Sequence, residues 1–147
     1  MAYIDFIMPI HMATKRDYLA RVNDPEYPKA KAADLALKWD VDYWDGDRRT
    51  GYGGMSYDGR WRKVADLMVK HYGLKAGDKV LDVGCGKGFL LYDLTQAVPG
   101  LEITGVDISR YALEHAKPEV KDRLLEGRAD KLPFADASFD FVFSINT

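Results

Sequence analysis

The fold of this chain is decided by one stretch, residues 80–90, which reads VLDVGCGKGFL. Its first four residues have the apolar, β-branched character of a buried strand, and three alternating glycines follow them. The apolar run that begins at Phe89 is typical of a helix. The stretch therefore predicts a strand, a glycine-rich turn and a helix, with a turn whose backbone lets a nucleoside-bearing ligand approach closely.

The spacing of the glycines narrows the choice of ligand. A dinucleotide-binding turn of the form G-x-G-x-x-G needs glycine at position 89, where this chain has Phe89. A phosphate-binding loop needs G-x-x-x-x-G-K-[ST], which the sequence lacks. The pattern that is present, Asp82 followed by Gly84, Gly86 and Gly88, resembles the first motif of class I S-adenosylmethionine (SAM)-dependent methyltransferases.

Strand patterns alternate with helical patterns along the second part of the chain. The predicted strands are residues 79–83, 102–106, 123–126 and 139–145. The predicted helices are residues 61–72, 89–97 and 109–117, the first ended by Gly73 and the last capped by Ser109. Such alternation predicts a parallel sheet with right-handed crossovers, in which a ligand binds at the carboxyl ends of the strands.

We therefore predict an α/β fold, a Rossmann-like doubly wound parallel sheet. The resemblance implies seven strands in the order 3-2-1-4-5-7-6, of which this chain supplies about four in the order 3-2-1-4. Residues 1–60 are expected to form an N-terminal extension with helices at 14–22 and 29–39 and an aromatic loop, and residues 61–147 a SAM-binding domain. Because the pattern stops at the fourth strand, we expect an N-terminal fragment or one half of a split enzyme.

Composition limits the classes of function. The 147 residues are 47% apolar and 30% charged, as in a soluble globular domain. The net charge of −2 provides no basic field for a nucleic-acid partner. A single cysteine excludes an internal disulfide and a multi-cysteine metal site, and we expect no metal. The apolar residues 2–10 are too short for a membrane span and lack signal-peptide features, so we expect a cytoplasmic protein without a membrane partner.

The glycine turn supplies the first candidate binding residues. Gly84, Cys85, Gly86 and Gly88 are expected to wrap the amino-acid part of the cofactor. We interpret Cys85 as a small residue that fits the turn, since no base accompanies it as a nucleophile would require. Asp82 is expected to bond to loop amides, to bind the ligand's ammonium group through water, or to have a purely structural role.

The next candidates follow the second predicted strand. Asp107 ends that strand and is suited to accept hydrogen bonds from both ribose hydroxyls. A dinucleotide enzyme places an acid there too, so Asp107 alone does not distinguish the two cofactors. Ile108 is expected either to cover one face of the adenine or to be a core residue at a helix start.

The resemblance implies further contacts to the adenine. In this family a side chain after the third strand faces the adenine amino group and the next backbone amide faces a ring nitrogen. These positions are Asp130 and Lys131, and the alternative for Asp130 is a solvated loop acid. Asn146, at the end of the fourth strand, is placed near the reactive methyl group by location alone.

Residues 51–61, GYGGMSYDGRW, combine glycines, tyrosines and an arginine. We expect this loop to fold over the cofactor, with Arg60, Tyr52 or Tyr57 near its charged end, or else to be a packed N-terminal loop. The stretches 43–49, 51–54, 57–61 and 144–147 resemble one subgroup of small-molecule bacterial methyltransferases.

The resemblance implies the transfer of a methyl group from SAM to an unidentified small-molecule acceptor, with no catalytic residue assigned. The alternatives are a SAM-binding module without catalysis, half of a split enzyme, an aminopropyltransferase and, because of Phe89 less favoured, an NAD-dependent oxidoreductase. The apolar edge of the last strand, residues 139–145, is expected to allow self-association.

Overall fold

The computed structural model describes residues 4–12, 19, 24–25, 28–145 and 147. The helix predicted at 14–22 lies, apart from Leu19, outside the described residues. The chain divides into two compact units, Met1–Ala13 with Tyr57–Thr147 (the sheet unit) and Thr14–Ser56 (the aromatic unit). The predicted division into 1–60 and 61–147 differs from these units, since the first described residues group with the sheet.

The sheet unit contains four parallel strands. They are β1 (Lys79–Val83), β2 (Glu102–Asp107), β3 (Leu124–Glu126) and β4 (Phe141–Phe143). Their order in the sheet is β3-β2-β1-β4. The α/β fold class and the strand order 3-2-1-4 are thereby confirmed.

The fourth strand is shorter than the sequence predicts. Its pairing with β1 extends only from Phe141 to Phe143, whereas residues 139–145 have a strand pattern. At its start, the side chain of Asp140 accepts a hydrogen bond from the Lys79 amide at 2.8 Å, and the Asp140 amide donates to the Lys79 carbonyl at 2.8 Å. These two bonds hold the beginning of β4 beside β1 without a longer ladder.

Six α-helices lie within the described part of the chain. They are α1 (Met8–His11), α2 (Lys29–Ala36), α3 (Val41–Trp44), α4 (Arg62–Tyr72), α5 (Phe89–Ala97) and α6 (Arg110–Glu114). The cap residues predicted from the sequence are confirmed for α4 and α6. Gly73 ends α4 in the left-handed region at φ 66°, and the Ser109 side chain accepts a hydrogen bond from the Ala112 amide.

Helix α6 ends at Glu114, three residues before the predicted end. The Lys117 amide donates to the carbonyl of Lys87 at 3.0 Å instead of to its own helix. Pro118 has no amide hydrogen and disfavours helical geometry in the residue before it. A contact with the glycine turn therefore replaces the last helical turn that the pattern predicts.

One face of the sheet carries the hydrophobic core. Val80, Ile103 and Phe141 lie in one register row. The first two belong to the buried cluster, together with residues of the two long helices, and Phe141 packs against it. The members of that cluster from α4 and α5 are Val64, Ala65, Met68, Leu90, Leu91 and Leu94. Leu125 in β3 and Val142 in β4 lie on the opposite face of the sheet and are 43% and 53% exposed. The two edge strands are therefore covered less on that face than on the face that carries the core.

Residues 4–12 belong to the sheet unit through an aromatic contact. Phe6 stacks on Tyr72 with ring centroids 5.6 Å apart and meets His71 edge-on at 5.5 Å. Tyr72 in turn lies 4.5 Å from the ring of Phe141. This row of rings joins the N-terminal segment to the end of α4 and to β4.

The aromatic unit packs around Tyr43. Its ring lies 4.8–5.3 Å from Trp39, Trp44 and Tyr52, and Trp44 stacks on Tyr52 at 5.3 Å. Gly51 permits this packing, because a Cβ there would lie 2.0 Å from the Tyr43 carbonyl oxygen. Residues 51 and 52 therefore take part in a packed cluster inside their own unit.

We expect Gly105→Ala to destabilise the sheet unit by ~1–3 kcal/mol through overpacking. The added Cβ would lie 2.6 Å from Cys85 Sγ and 2.6 Å from Leu124 Cδ2. Urea unfolding followed by circular dichroism measures the loss. The double variant Gly105→Ala/Cys85→Ala is the control: because the sulfur is gone, it regains part of the loss, and a single variant as stable as the wild type would contradict the packing described.

Candidate functional site

The glycine turn between β1 and α5 has a backbone that requires glycine. Gly84, Gly86 and Gly88 have φ values of 83°, 55° and 73°, which side chains rarely adopt. A Cβ on Gly84 would lie 2.2 Å from Thr147 Oγ1, and one on Gly88 would lie 2.9 Å from Val120 Cγ2. The turn thus brings bare backbone to the carboxyl edge of the sheet, where the sequence predicts a ligand.

Asp107 links this turn to β2. Its Oδ2 accepts a hydrogen bond from the Gly86 amide at 2.7 Å, and its Oδ1 accepts one from the Ser109 amide at 2.8 Å. The side chain is buried, and burial raises the pKa of the Asp107 carboxyl, while the amides of Ser109, Gly86 and Ile108 lower it. Each carboxylate oxygen has two lone pairs, so both oxygens retain capacity to accept from a ligand hydroxyl.

Asp82 lies in β1 just before the turn and is 5% exposed. Its bonding to loop amides, or through water to a ligand's ammonium group, stays a prediction. Burial, followed by the nearby charge of Asp107, raises the pKa of Asp82 to about 8. A cationic group placed beside Asp82 would favour its ionised form, which is the behaviour expected of a binding site for a positively charged ligand.

Cys85 fills space behind the turn. Its side chain is buried, and burial followed by the charges of Asp82 and Asp107 raises the pKa of the thiol well above its usual range. The thiol is therefore protonated, which is unsuited to nucleophilic chemistry. Its Sγ lies close to the backbone of Gly105 in β2, so a larger residue at either position would not fit.

Two further candidates flank this centre. Ile108 is 46% exposed directly after Asp107, so its side chain is accessible at the carboxyl edge of β2. Asp130 is exposed and forms two 2.9 Å hydrogen bonds with Arg128, which lowers the pKa of the Asp130 carboxyl. The amide of Lys131 donates to the Arg128 carbonyl at 3.1 Å. Asp130 and Lys131 thus make local contacts within the loop after β3.

The candidates from the aromatic loop fall in different units. Arg60 belongs to the sheet unit and forms an exposed ion pair with Asp58 at 2.6 Å. Tyr57, also in the sheet unit, donates a hydrogen bond to Asp93 Oδ1 at 2.6 Å. Tyr52 belongs to the aromatic unit, and its part in ligand binding stays a prediction. Asn146 lies outside the described residues.

Sequence reasoning missed two features of this region. The first is a pair of hydroxyls: Ser144 donates to Thr147 Oγ1 at 2.6 Å, and Thr147 donates to the Val83 carbonyl at 2.9 Å, beside Gly84. The second is Asp93, an acid inside the apolar helix α5. Its signal in the sequence is the single charge in the run FLLYDLTQA, residues 89–97.

Among the described residues, no group of three or more His, Cys, Asp or Glu side chains is arranged to hold a metal ion. None of the described helices has the length and apolar character needed to cross a membrane.

Comparison with known proteins identifies the domain. Residues 80–147, which contain the whole glycine turn and all four strand ends, match the family model described as "Methyltransferase domain". Residues 80–147 are therefore similar to a methyltransferase domain, in agreement with the resemblance to class I SAM-dependent methyltransferases. The resemblance that the glycine pattern indicates is thereby confirmed.

Individual relatives agree with this methyltransferase domain over part of their length. The demethylmenaquinone methyltransferase of Staphylococcus aureus is 41% identical over 87 residues, which are 56% of this chain and 35% of the relative. A protein of Methanococcus maripaludis described as an S-adenosyl-L-methionine-dependent methyltransferase has a TM-score of 0.54 and 19% identity, with 85% of this chain and 53% of that chain covered. A SAM-dependent methyltransferase from Aquifex aeolicus is 29% identical with a TM-score of 0.46, covering 54% of this chain and 46% of that one.

The structural comparison concerns the fold, and the sequence comparison covers only part of the relatives. The Methanococcus maripaludis structure shares the fold of the methyltransferase domain. The match spans about a third of the length of the curated relatives, 35% in the case above. What those relatives act on is therefore a property of the longer proteins.

We expect Asp82→Asn to change how stability depends on pH. The pKa of Asp82 rises from 3.8 to about 8 on folding, so the folded protein binds more protons than the unfolded chain between those values. The free energy of unfolding of the wild type therefore falls as pH rises from about 4 to 8. The asparagine variant lacks this term, so its free energy of unfolding falls less between pH 5 and pH 8 than that of the wild type.

Urea unfolding at pH 5, 6.5 and 8 measures this difference between the two proteins. Asp122→Asn is the matched control, because the Asp122 side chain is 77% exposed. Identical pH dependence in the wild type and Asp82→Asn would contradict the raised pKa of the buried carboxyl.

Proposed function

We propose that this chain binds SAM at the carboxyl edge of β1 and β2 and holds it for transfer of its methyl group to a small-molecule acceptor. One observation carries the proposal: two buried carboxyls, Asp82 and Asp107, flank a turn of three left-handed glycines, and the middle glycine donates its amide to Asp107. The similarity of residues 80–147 to a methyltransferase domain supports it.

The chemistry of the site suits each part of this cofactor. The free lone pairs of Asp107 accept from the two ribose hydroxyls. The raised pKa of Asp82 makes its ionisation depend on a nearby positive charge, which the sulfonium or the ammonium group supplies. The backbone of Gly84 and Gly86, with no side chain in the way, accommodates the amino-acid part, with Cys85 and Gly88 completing the turn.

The outer contacts concern the adenine and the charged end. Ile108, being accessible, covers one face of the adenine. Asp130 accepts a hydrogen bond from the adenine amino group in place of its bonds to Arg128. The Lys131 amide donates a hydrogen bond to a ring nitrogen of the adenine. From the chemistry of their side chains we propose Arg60 or Tyr52 for the charged end of the cofactor. From its place at the end of the predicted fourth strand we propose Asn146 near the methyl group.

A second kind of nucleotide cofactor is disfavoured by the turn itself. A dinucleotide-binding turn uses glycine for close approach of helix and strand at the position held here by Phe89. The Phe89 side chain is a buried ring at the start of α5, in place of the glycine that such a turn needs. An NAD-dependent oxidoreductase is therefore the weaker candidate.

The protein's part in the reaction is alignment. When bound, SAM supplies an electrophilic methyl group on a sulfonium, and the cofactor carries the hard chemistry. The glycine turn and Asp107 fix the position of the nucleoside, and the buried surroundings of Asp82 limit water near the positive charge. Alignment of two reactants accounts for about 7–11 kcal/mol of barrier lowering in well-oriented systems.

The acceptor is proposed to be a small molecule. The net charge of −2 gives no excess of basic residues to favour a nucleic-acid acceptor. A reducing, cytoplasmic setting accords with the single buried cysteine. Val142 is 53% exposed on the edge strand β4, and we propose that this edge permits self-association.

Isothermal titration calorimetry with SAM, S-adenosylhomocysteine and NADH tests the proposed cofactor. We expect SAM and S-adenosylhomocysteine to bind at one site and NADH not to bind. Binding of NADH alone would reject the methyltransferase function. Binding of SAM with no methyl transfer to any acceptor in a panel would restrict the function to cofactor binding.

We expect Asp107→Ala to weaken SAM binding by ~1.5–3 kcal/mol, because charged hydrogen bonds to the ribose are lost. The variant also loses the partner of the Gly86 amide, so the turn is less well fixed. Asp107→Asn, which keeps one acceptor oxygen, is expected to lie between the alanine variant and the wild type. The measurement is the dissociation constant, with circular dichroism as a check of folding, and an unchanged constant would remove Asp107 from the site.

A further inference from the structure

Asp93 is a buried carboxyl that the proposed chemistry does not use. It lies in α5 and is 1% exposed. Its Oδ1 accepts a hydrogen bond from the Tyr57 hydroxyl at 2.6 Å. Its Oδ2 is buried and, among the described residues, has no hydrogen-bond partner.

Burial of a carboxyl with one unsatisfied oxygen lowers the stability of the fold, which is unfavourable for a residue that serves only in packing. A carboxyl buried with half of its acceptors unsatisfied costs more than an apolar side chain in the same helix. The hydrogen bond to Asp93 is the main cause that raises the pKa of Tyr57 to about 12, so the phenol stays protonated and is the donor. The hydrogen bond to Tyr57 is therefore the interaction that a carboxyl, and not an apolar side chain, provides at position 93.

Tyr57 is fixed to the first two turns of α5. Its ring meets Phe89 edge-on at 5.7 Å and Tyr92 at 5.2 Å. The Lys117 ammonium lies 4.7 Å from the Tyr57 ring centroid and 3.9 Å from that of Tyr92. The Lys117 amide donates to the carbonyl of Lys87 in the glycine turn at 3.0 Å, so the same cluster is joined to that turn.

The connection of α4 to β1 places this cluster at the edge of the site. Helix α4 has 11 residues, or ~16 Å, and leads within six residues into β1, whose five residues span ~17 Å. The end of α4 thus lies at the amino end of β1, and its start lies toward the carboxyl end. Tyr57 and residues 58–60, which precede α4, are therefore on the side where the glycine turn lies.

We propose that the Tyr57–Asp93 hydrogen bond is a tether that positions residues 57–60 at the mouth of the cofactor site, and that Asp93 is a positioning residue for cofactor binding. The inference rests on the proposed function, since SAM is the ligand. The tethered segment restricts escape of the bound cofactor, and loss of the tether increases the rate of its dissociation.

The first test removes the tether and keeps the rings. Tyr57→Phe retains the contacts with Phe89 and Tyr92 and loses only the hydroxyl. We expect the dissociation constant for SAM to rise ~3–10-fold, as loss of one intramolecular hydrogen bond implies. Tyr92→Phe is the matched control on the same cluster, and it is expected to bind SAM as the wild type does. Calorimetry of the whole chain measures both.

The double variant Tyr57→Phe/Asp93→Leu separates positioning from stability. Removing both partners relieves the buried carboxyl, so resistance to urea returns to or above the wild-type level. The positioning role predicts that SAM affinity nevertheless stays as weak as in Tyr57→Phe. If affinity recovers together with stability, the pair serves packing only and the proposal is overturned.

The rate of trypsin cleavage after Arg60 tests the tether independently of calorimetry. We expect faster cleavage there in Tyr57→Phe, with unchanged cleavage after the exposed Arg110 in α6, and slower cleavage after Arg60 when SAM is added to the wild type. If Tyr57→Phe binds SAM as tightly as the wild type does, the tether is refuted and the proposed function is not. A wild type that does not bind SAM refutes the proposed function, and the positioning role with it.

Discussion

The carboxyl of Asp107 holds the site together. One of its oxygens accepts from the Gly86 amide and the other from the Ser109 amide. The end of β2 is thereby joined both to the turn after β1 and to the start of α6. The amides of Gly84 and Cys85 add two bonds to the Val106 carbonyl, at 2.7 and 3.1 Å. Because neighbouring parallel strands end at one edge, this group of bonds sets the backbone path on which the rest of the candidate site depends.

The sequence was sufficient where local pattern and long-range structure agree. The strand of residues 79–83, the left-handed cap at Gly73 and the Ser109 cap all follow from residue type and spacing. The sheet order followed from the family pattern together with right-handed crossovers. The acid at the end of β2 was also foreseen, although its role as acceptor for the Gly86 amide was not, since a contact between residues 21 apart leaves no local signal.

Prediction was least successful where a tertiary contact decided the outcome. Helix α6 stops early because the Lys117 amide binds a carbonyl of the glycine turn, which periodicity cannot show. The start of β4 is fixed by the contact of Asp140 with Lys79, 61 residues away. Asp93 was overlooked because a single acid in an apolar helix usually marks a solvated position, and only the folded structure shows its carboxyl beneath the Tyr57 phenol.

The two acids beneath the turn have a thermodynamic consequence for ligand uptake. With a pKa of about 8, Asp82 carries a proton at neutral pH in the free protein. A ligand that brings a permanent positive charge beside it displaces that proton into the solvent. The observed heat of association then contains the ionisation heat of whichever buffer accepts the proton. Titrations in phosphate and in Tris would differ in enthalpy while agreeing in affinity, and the difference counts the protons released.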